Sequence, residues 1–372
     1  MGFVNAHLCV ALAIWELLHH LFLLEQTSKH TTTMSNMIKA LAVESRTGKL
    51  RLHEYNPGDL GSEQVEIAVS HCGVCHSDLS MLENDWGQTT YPFVPGHEAT
   101  GIVAAVGSRV KKVKVGDRVG LGWMSGSCMA CSQCLSGNQN LCGTAEQTIV
   151  GRHGGFADRV RCHWMWAVPI PGKLGLAEAG PLFCGGITVF TPMVEYGVKP
   201  TDRVGVVGIG GLGHMAVQFL NKWGCEVWAF TSSESKKAEA LGMGAHHAVN
   251  SKDPKQLAGL AGALDFLLVT VNVTMDWAAW LGTLAPKGRL HFVGVVLEPL
   301  KIPVFQLLVG QRSVSGSPVG NPRNMELMLD FCARHGIAPK TEVFPMSRAN
   351  EALDHLRAGK ARYRVVLEND LK

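Results

Sequence analysis

The chain has 372 residues, 46% of them apolar, and a formal net charge of +3. That length exceeds the roughly 250 to 300 residues at which one core stops growing, so two domains sharing a cleft are expected. The charge bias is slight and no Lys/Arg cluster tracks a phosphate backbone, which argues against nucleic acid as a partner.

In chain order, residues 1–37 differ in character from the rest. The stretch 8–24 is apolar, but Glu16, His19 and His20 interrupt it and no Lys or Arg precedes it. It fits neither a signal peptide nor a membrane span, and no membrane association is expected. It reads as an appended amphipathic or disordered leader, with Met34 and Met37 as alternative translation starts. From Ile38 to about Pro181, short β-branched runs at 65–69, 102–106 and 118–121 lie between glycine-rich turns and predict an irregular, mostly-β domain. After Gly185, apolar strand candidates at 204–207, 227–230, 266–271 and 290–295 alternate with helical stretches, the pattern of a doubly wound parallel α/β sheet. Two helix candidates, 325–332 and 349–356, and a strand candidate at 363–367 follow. No internal repeat or low-complexity linker is present.

The cysteines fall into two informative sets. Cys128, Cys131, Cys134 and Cys142 follow the pattern C-x2-C-x2-C-x7-C in a Gly/Ser/Asn-rich loop. Four thiolates close a tetrahedral shell, so a zinc held there is structural. An iron-sulfur cluster uses similar ligands, but no second cysteine group lies nearby. Such crowding favours metal over disulfides, and a reducing, cytoplasmic setting. The other set is dispersed: Cys75 in Cys72-Gly73-Val74-Cys75-His76-Ser77-Asp78, His97 and Glu98 in Pro95-Gly96-His97-Glu98, and Cys184 in Phe183-Cys184-Gly185-Gly186. Two thiolates and one imidazole give three fixed ligands and leave a fourth position for water, Glu98 or a substrate oxygen, as a Lewis acid needs. Spacing alone does not join them. Cys72 and Cys75 also read as packed thiols, and His97 as a turn histidine satisfied locally.

The segment Val204-Gly205-Val206-Val207-Gly208-Ile209-Gly210-Gly211-Leu212-Gly213 is a buried strand running into GxGxxG, with an amphipathic helix over 214–223 behind it. Gly208 suits the tight turn, Gly210 admits a pyrophosphate to the backbone, and Gly213 lets helix pack on strand; Gly211 and Leu212 complete the turn. At the end of the next strand an Asp or Glu would accept ribose hydroxyls and repel a 2′-phosphate. Thr231, Ser232 and Ser233 stand there, with Lys236 and Lys237 one turn on, which favours NADP(H). Glu234 is the dissenting residue, and a solvated helix start capped by serine is the plain alternative.

CGVCHSD, VPGHE, the four-cysteine loop, CGGIT and VGVVGIGGLGHMAVQF occur in the order found in medium-chain zinc alcohol dehydrogenases, and from about Ile38 onward the chain resembles that family. The wording is most similar to the cinnamyl alcohol dehydrogenase-like branch, which includes bacterial NADP-dependent aldehyde reductases. The resemblance implies a GroES-like catalytic domain over 38–184 and 323–372, and a Rossmann domain over 185–322. It implies two zinc ions per chain, with Cys75, His97 and Cys184 holding the catalytic one and Glu98 as exchangeable fourth ligand. Asp78 would orient His97 through its second ring nitrogen. Ser77 would take the alcohol proton and pass it through the cofactor ribose. Ser80 stands where many relatives carry the histidine that ends this relay, so water would serve in its place. Thr188 and the backbone of Val293 to Val295 match the segments that hold the nicotinamide. Trp86, Trp123, Pro318 and Val319 fall at pocket-lining positions, although core packing explains both tryptophans equally well. The implied enzyme is a homodimer interconverting small primary alcohols and aldehydes, aromatic or medium-chain aliphatic. An NAD-dependent alcohol or polyol dehydrogenase, and a non-catalytic NADP-binding protein, are the competing readings.

Overall fold

The computed structural model describes residues 37–371. The expectation about the 8–24 stretch lies outside the described residues. Two large sheets carry the chain, beside two-stranded ones at Ile38–Ala42 with Arg51–Tyr55 and Met124–Gly126 with Glu146–Gln147. The first has seven strands, with six in the order Thr341–Pro345, Arg364–Glu368, Gln64–Val74, Ala99–Val106, Arg118–Leu121, Val168–Pro169, while Arg159–His163 also pairs with the long strand Gln64–Val74. Its pairings are antiparallel except between Thr341–Pro345 and Arg364–Glu368. The long strand is buried towards both ends, over 65–67 and 72–74, and half-buried in its middle at Ala68, Ser70 and His71; Val65, Ile67, Val69 and Cys72 enter a core with Phe93, Phe156 and Met81.

The second sheet has six parallel strands in the order His247–Asn250, Glu226–Thr231, Arg203–Val207, Leu264–Val269, Leu284–Phe292, Ser313–Gly316. Its central strands are apolar on both faces because helices cover both, which is why they read as continuous Val, Leu and Phe runs rather than alternating ones. Strand order reverses between Arg203–Val207 and Leu264–Val269, and a ligand crevice is expected above the carboxyl ends of strands at such a switch point. Helix Gly213–Trp223 starts there and ends on the left-handed Gly224. At its first residue any side chain is excluded: a Cβ on Gly213 would lie 1.9 Å from the Gly208 carbonyl oxygen. Phe190, Phe219 and Phe331 meet at ring-centroid distances of 5.6 to 6.3 Å and tie this helix to helices Gly185–Glu195 and Pro322–His335.

The chain departs from the sequence expectation mainly at strand ends. The strands expected over 266–271 and 290–295 stop at Val269 and Phe292. Thr270 and Val293 still donate backbone hydrogen bonds into the sheet, but the apolar residues beyond them form loops at its carboxyl end. Leu284–Phe292 begins earlier than expected, with a register shift between Leu284 and Arg289 inside the strand and Lys287 at φ 67. Among the described residues no helix is long and apolar enough to cross a membrane.

Candidate catalytic and cofactor site

Four residues from three separate stretches converge. One ligand atom from each of Cys75, His97, Glu98 and Cys184 lies within 4.8 Å of the others, and all four residues are buried. Cys75 caps helix His76–Leu82, and its backbone N–H donates to Asp78 Oδ2 at 2.9 Å. Asp78 Oδ1 accepts from the Gly96 N–H at 2.9 Å and lies 3.1 Å from His97 Nδ1. A carboxylate only accepts, so His97 carries a proton on Nδ1 and Nε2 is the nitrogen turned toward Cys184 Sγ, 3.2 Å away. Burial works against charge on this ring, but Asp78 outweighs it and holds the His97 proton affinity above the ordinary value. The sulfurs of Cys75 and Cys184 lie 3.8 Å apart. Sharing a proton, they diverge: the hydrogen bond from Cys184 holds Cys75 well below the usual thiol range and pushes Cys184 up.

Glu98 is wholly buried and pushed up to about 7, by desolvation first, against the pull of Arg364. Its room is made by Gly73, where a Cβ would fall 1.9 Å from Glu98 Oε2. Arg364 Nη2 donates to Glu98 Oε1, yet Glu98 Oε2 and Arg364 Nε have no partner among the described residues. An orphaned carboxylate oxygen beside two sulfurs and a free imidazole nitrogen is a donor set suited to zinc, and the residues present fit that ion. Ser77 is half-buried beside them, its Oγ 3.8 Å from Cys75 Sγ, and Ser80 is buried in the same helix. Trp123 meets His97 edge-on at 5.0 Å and Trp86 at 6.0 Å, and Trp123 shares a small recess with Val319. Pro318 is exposed, and Val295 is 53% exposed.

Cys128, Cys131, Cys134 and Cys142 also bring one sulfur each within 4.8 Å of the rest. Backbone N–H groups of Cys128 and Cys131 point at the sulfurs of Cys142 and Cys128, at 3.5 and 3.3 Å. Those donors favour thiolate, and Cys142 is held down to about 6, first by the Cys128 N–H. The ten cysteines among the described residues are all free thiols.

Above the switch point a cavity of about 820 Å³ is lined by Gly208, Gly210, Thr231, Ser232, Ser233 and Lys236, among others. A Cβ on Gly210 would meet nothing within 4 Å, so the turn leaves open space for a ligand's backbone-bound groups, and the lining fits a dinucleotide. Lys237 is turned away and paired with Glu234 at 2.9 Å. Thr188 is buried on the helix that follows Cys184, and Val293 is half-buried beside the sheet end. Arg364 is the residue sequence reasoning missed. Its Nη1 lies 3.0 Å from where a Cβ on Gly211 would stand, so one guanidinium touches both the glycine turn and Glu98. The available signal was a cation, the last of Lys360, Arg362 and Arg364, set directly against the apolar run Val365-Val366-Leu367.

A dinucleotide-type parallel sheet beside a β domain with a thiolate–imidazole cluster defines a metal- and nucleotide-dependent oxidoreductase. Residues 61–172 match the alcohol dehydrogenase GroES-like domain, and residues 211–334 match the zinc-binding dehydrogenase family. The chain is 59% identical to aldehyde reductase AdhA of Synechocystis sp. over 333 residues, covering 90% of this chain and 99% of that protein. It is 40% identical to cinnamyl alcohol dehydrogenase 7 of Arabidopsis thaliana, covering 88% and 94%. Among solved structures, a cinnamyl alcohol dehydrogenase from Sorghum bicolor superposes with a TM-score of 0.85 at 36% identity, covering 89% of this chain and 97% of that one. The CAD of Helicobacter pylori, solved with NADP(H), gives 0.83 at 32% identity, with 89% and 98% covered. The chain belongs to the medium-chain zinc-dependent alcohol dehydrogenase family, as an enzyme of its cinnamyl alcohol dehydrogenase-like branch.

Proposed function

We propose that this enzyme reduces aldehydes and oxidises primary alcohols with NADP(H), and that Cys75, His97 and Cys184 hold its catalytic zinc, with Glu98 as exchangeable fourth ligand. The observation that carries this is the convergence of those four ligand atoms within 4.8 Å, beside the dinucleotide sheet. When bound, zinc supplies a Lewis acid for the substrate oxygen, and the nicotinamide supplies or accepts the hydride. The chain's own residues do the rest. Asp78 keeps the His97 proton on Nδ1, and Ser77 Oγ takes the alcohol proton. Trp86, Trp123 and Val319 exclude water on the substrate side, with Pro318 at the rim. Gly208, Gly210, Gly211, Leu212 and Gly213 receive the pyrophosphate, Ser232, Ser233 and Lys236 the 2′-phosphate, and Thr188 with the 293–295 backbone the nicotinamide. Cys128, Cys131, Cys134 and Cys142 hold a second, structural zinc.

The domain division that accompanies this reading is 38–184 with 323–372 for the catalytic domain and 185–322 for the nucleotide domain. A homodimer is supported by helix Val304–Gly310, whose Phe305 and Val309 are 75% and 71% exposed beside the edge strand Ser313–Gly316. A second copy pairing at that edge covers both. Free thiols at all ten cysteines among the described residues support a reducing, cytoplasmic setting.

Stopped-flow and equilibrium binding separate the two halves of the site. Cys75→Ala, His97→Ala and Cys184→Ala are each expected to lower kcat by at least about a thousandfold, the size of losing Lewis-acid stabilisation, while NADPH affinity stays within about threefold. Near-normal turnover in any of the three would overturn the metal-centred reading.

A further inference from the structure

Tyr363 belongs to the end of the chain that enters the seven-stranded sheet, yet it packs on the nucleotide-binding helices of the other sheet. Its ring stacks on His214 at 4.7 Å and 9°. His214, wholly buried in the first turn of helix Gly213–Trp223, is itself fixed: Nδ1 lies 3.1 Å from the Gly210 carbonyl, and Nε2 lies 3.4 Å from the Lys340 N–H. A carbonyl only accepts and a backbone N–H only donates, so the ring has one tautomer and offers Tyr363 a flat, neutral face. The Tyr363 hydroxyl donates to the Glu239 carboxylate on helix Glu234–Gly242, and Arg362 Nε lies 3.9 Å from the other Glu239 oxygen.

Glu239 is three residues beyond Lys236, a spacing at which Lys and Glu on a helix ordinarily pair. Here they do not. Lys236 makes no ion pair among the described residues, and its Nζ sits 5.9 Å from the Tyr363 ring centroid while lining the cavity with Ser232 and Ser233. The carboxylate is engaged from the other sheet, and the ammonium lies over a ring face. Resting on the 2′-phosphate reading above, we propose that Tyr363 is a positioning residue for cofactor choice: it holds Glu239 away from Lys236 and so keeps that ammonium available to the 2′-phosphate of NADP(H). Without the hydroxyl, Glu239 turns to Lys236, which neutralises the cation and places a negative charge near the phosphate. NADH, which has no phosphate there, is indifferent to the change.

The test is equilibrium Kd for NADPH and NADH, read by fluorescence on the zinc-loaded enzyme. The wild type is expected to bind NADPH more tightly than NADH. Tyr363→Phe keeps the stack on His214 and is expected to raise the NADPH Kd about fivefold or more, the scale of one weakened charge-assisted contact, with the NADH Kd changing less than about twofold. Adding Glu239→Gln to Tyr363→Phe removes the competing charge and restores NADPH affinity to within about twofold of wild type. Equal weakening of both cofactors, an unchanged NADPH Kd in Tyr363→Phe, or no recovery in the double variant overturns the proposal. Equal wild-type affinities for NADPH and NADH would instead bring down the 2′-phosphate reading itself.

Discussion

Ser232 shows how much can hang on one side chain. It directly follows strand Glu226–Thr231 of the nucleotide sheet, where a carboxylate would meet the ribose, and instead it lines the cavity with Ser233 and Lys236. Ser232→Asp adds a charge where a 2′-phosphate would sit, and repulsion across a few ångströms costs several kcal/mol near a protein surface. The expected outcome is a kcat/KM with NADPH lowered at least about tenfold and an order of preference reversed in favour of NADH. An unchanged preference in steady-state kinetics would show that this strand end does not read the 2′ position. That these residues would meet at one cavity was legible because glycine fingerprints and missing acids are local signals. Cys75, His97, Glu98 and Cys184 were legible as types, but their meeting depends on a fold that joins residues 109 positions apart. Arg364 was not legible, because its role comes from a contact 266 residues away in sequence.

At the scale of elements, the four-cysteine loop is built from pieces too short to hold themselves. Ser132–Leu135 is one helical turn and Gln139–Leu141 a single 3-10 turn, and neither length is stable alone in water. On the reading proposed above, a zinc at the common centre of their sulfurs orders them, so metal and local structure would be lost together. Metal analysis is expected to give two zinc ions per chain. A mild chelator should remove the ion at the exchangeable Glu98 site first, abolishing turnover with the thermal midpoint little changed, whereas a thiol-specific reagent should release the second and lower that midpoint. One zinc or none in fully active protein would refute this division. The parallel strands were the most legible elements, since burial on both faces leaves unbroken apolar runs. Their ends were the least legible: Val271 and Val293 to Val295 are apolar as loop residues facing the cavity and sheet end, which composition cannot separate from strand.

At the scale of the whole molecule, the buried neutral rings of His214 and His291 contribute to the response to acid. His214 is pushed down to about 3 and His291 to about 4, both by burial first, and His291 is held between the hydroxyls of Ser315 and Ser317 at 2.9 and 3.0 Å. The unfolded chain protonates such rings near pH 6.5, while the folded one refuses until pH is far lower. The resulting stability is complete above pH 6.5, declines as pH falls, and for His291 stops declining below about 4, with a slope near 1.4 kcal/mol per unit between these limits. Urea midpoints measured at several pH values should therefore fall more steeply for the wild type than for His291→Gln. Parallel slopes would show that this ring does not couple folding to protons. Because loss of metal in acid affects both proteins alike, the difference between them isolates His291.

The position of the strand Arg364–Glu368 governs when the enzyme can come into being during synthesis. Residues 203–316 supply all six strands of the parallel sheet, so that sheet can close while later residues are still being added. The other sheet seats Arg364–Glu368 between Thr341–Pro345 and Gln64–Val74, and only this late strand brings the guanidinium to Glu98. A nascent chain that has emerged as far as residue 350 therefore already possesses a cradle for nucleotide, while its metal-binding half still lacks an inner strand and the cation that faces Glu98.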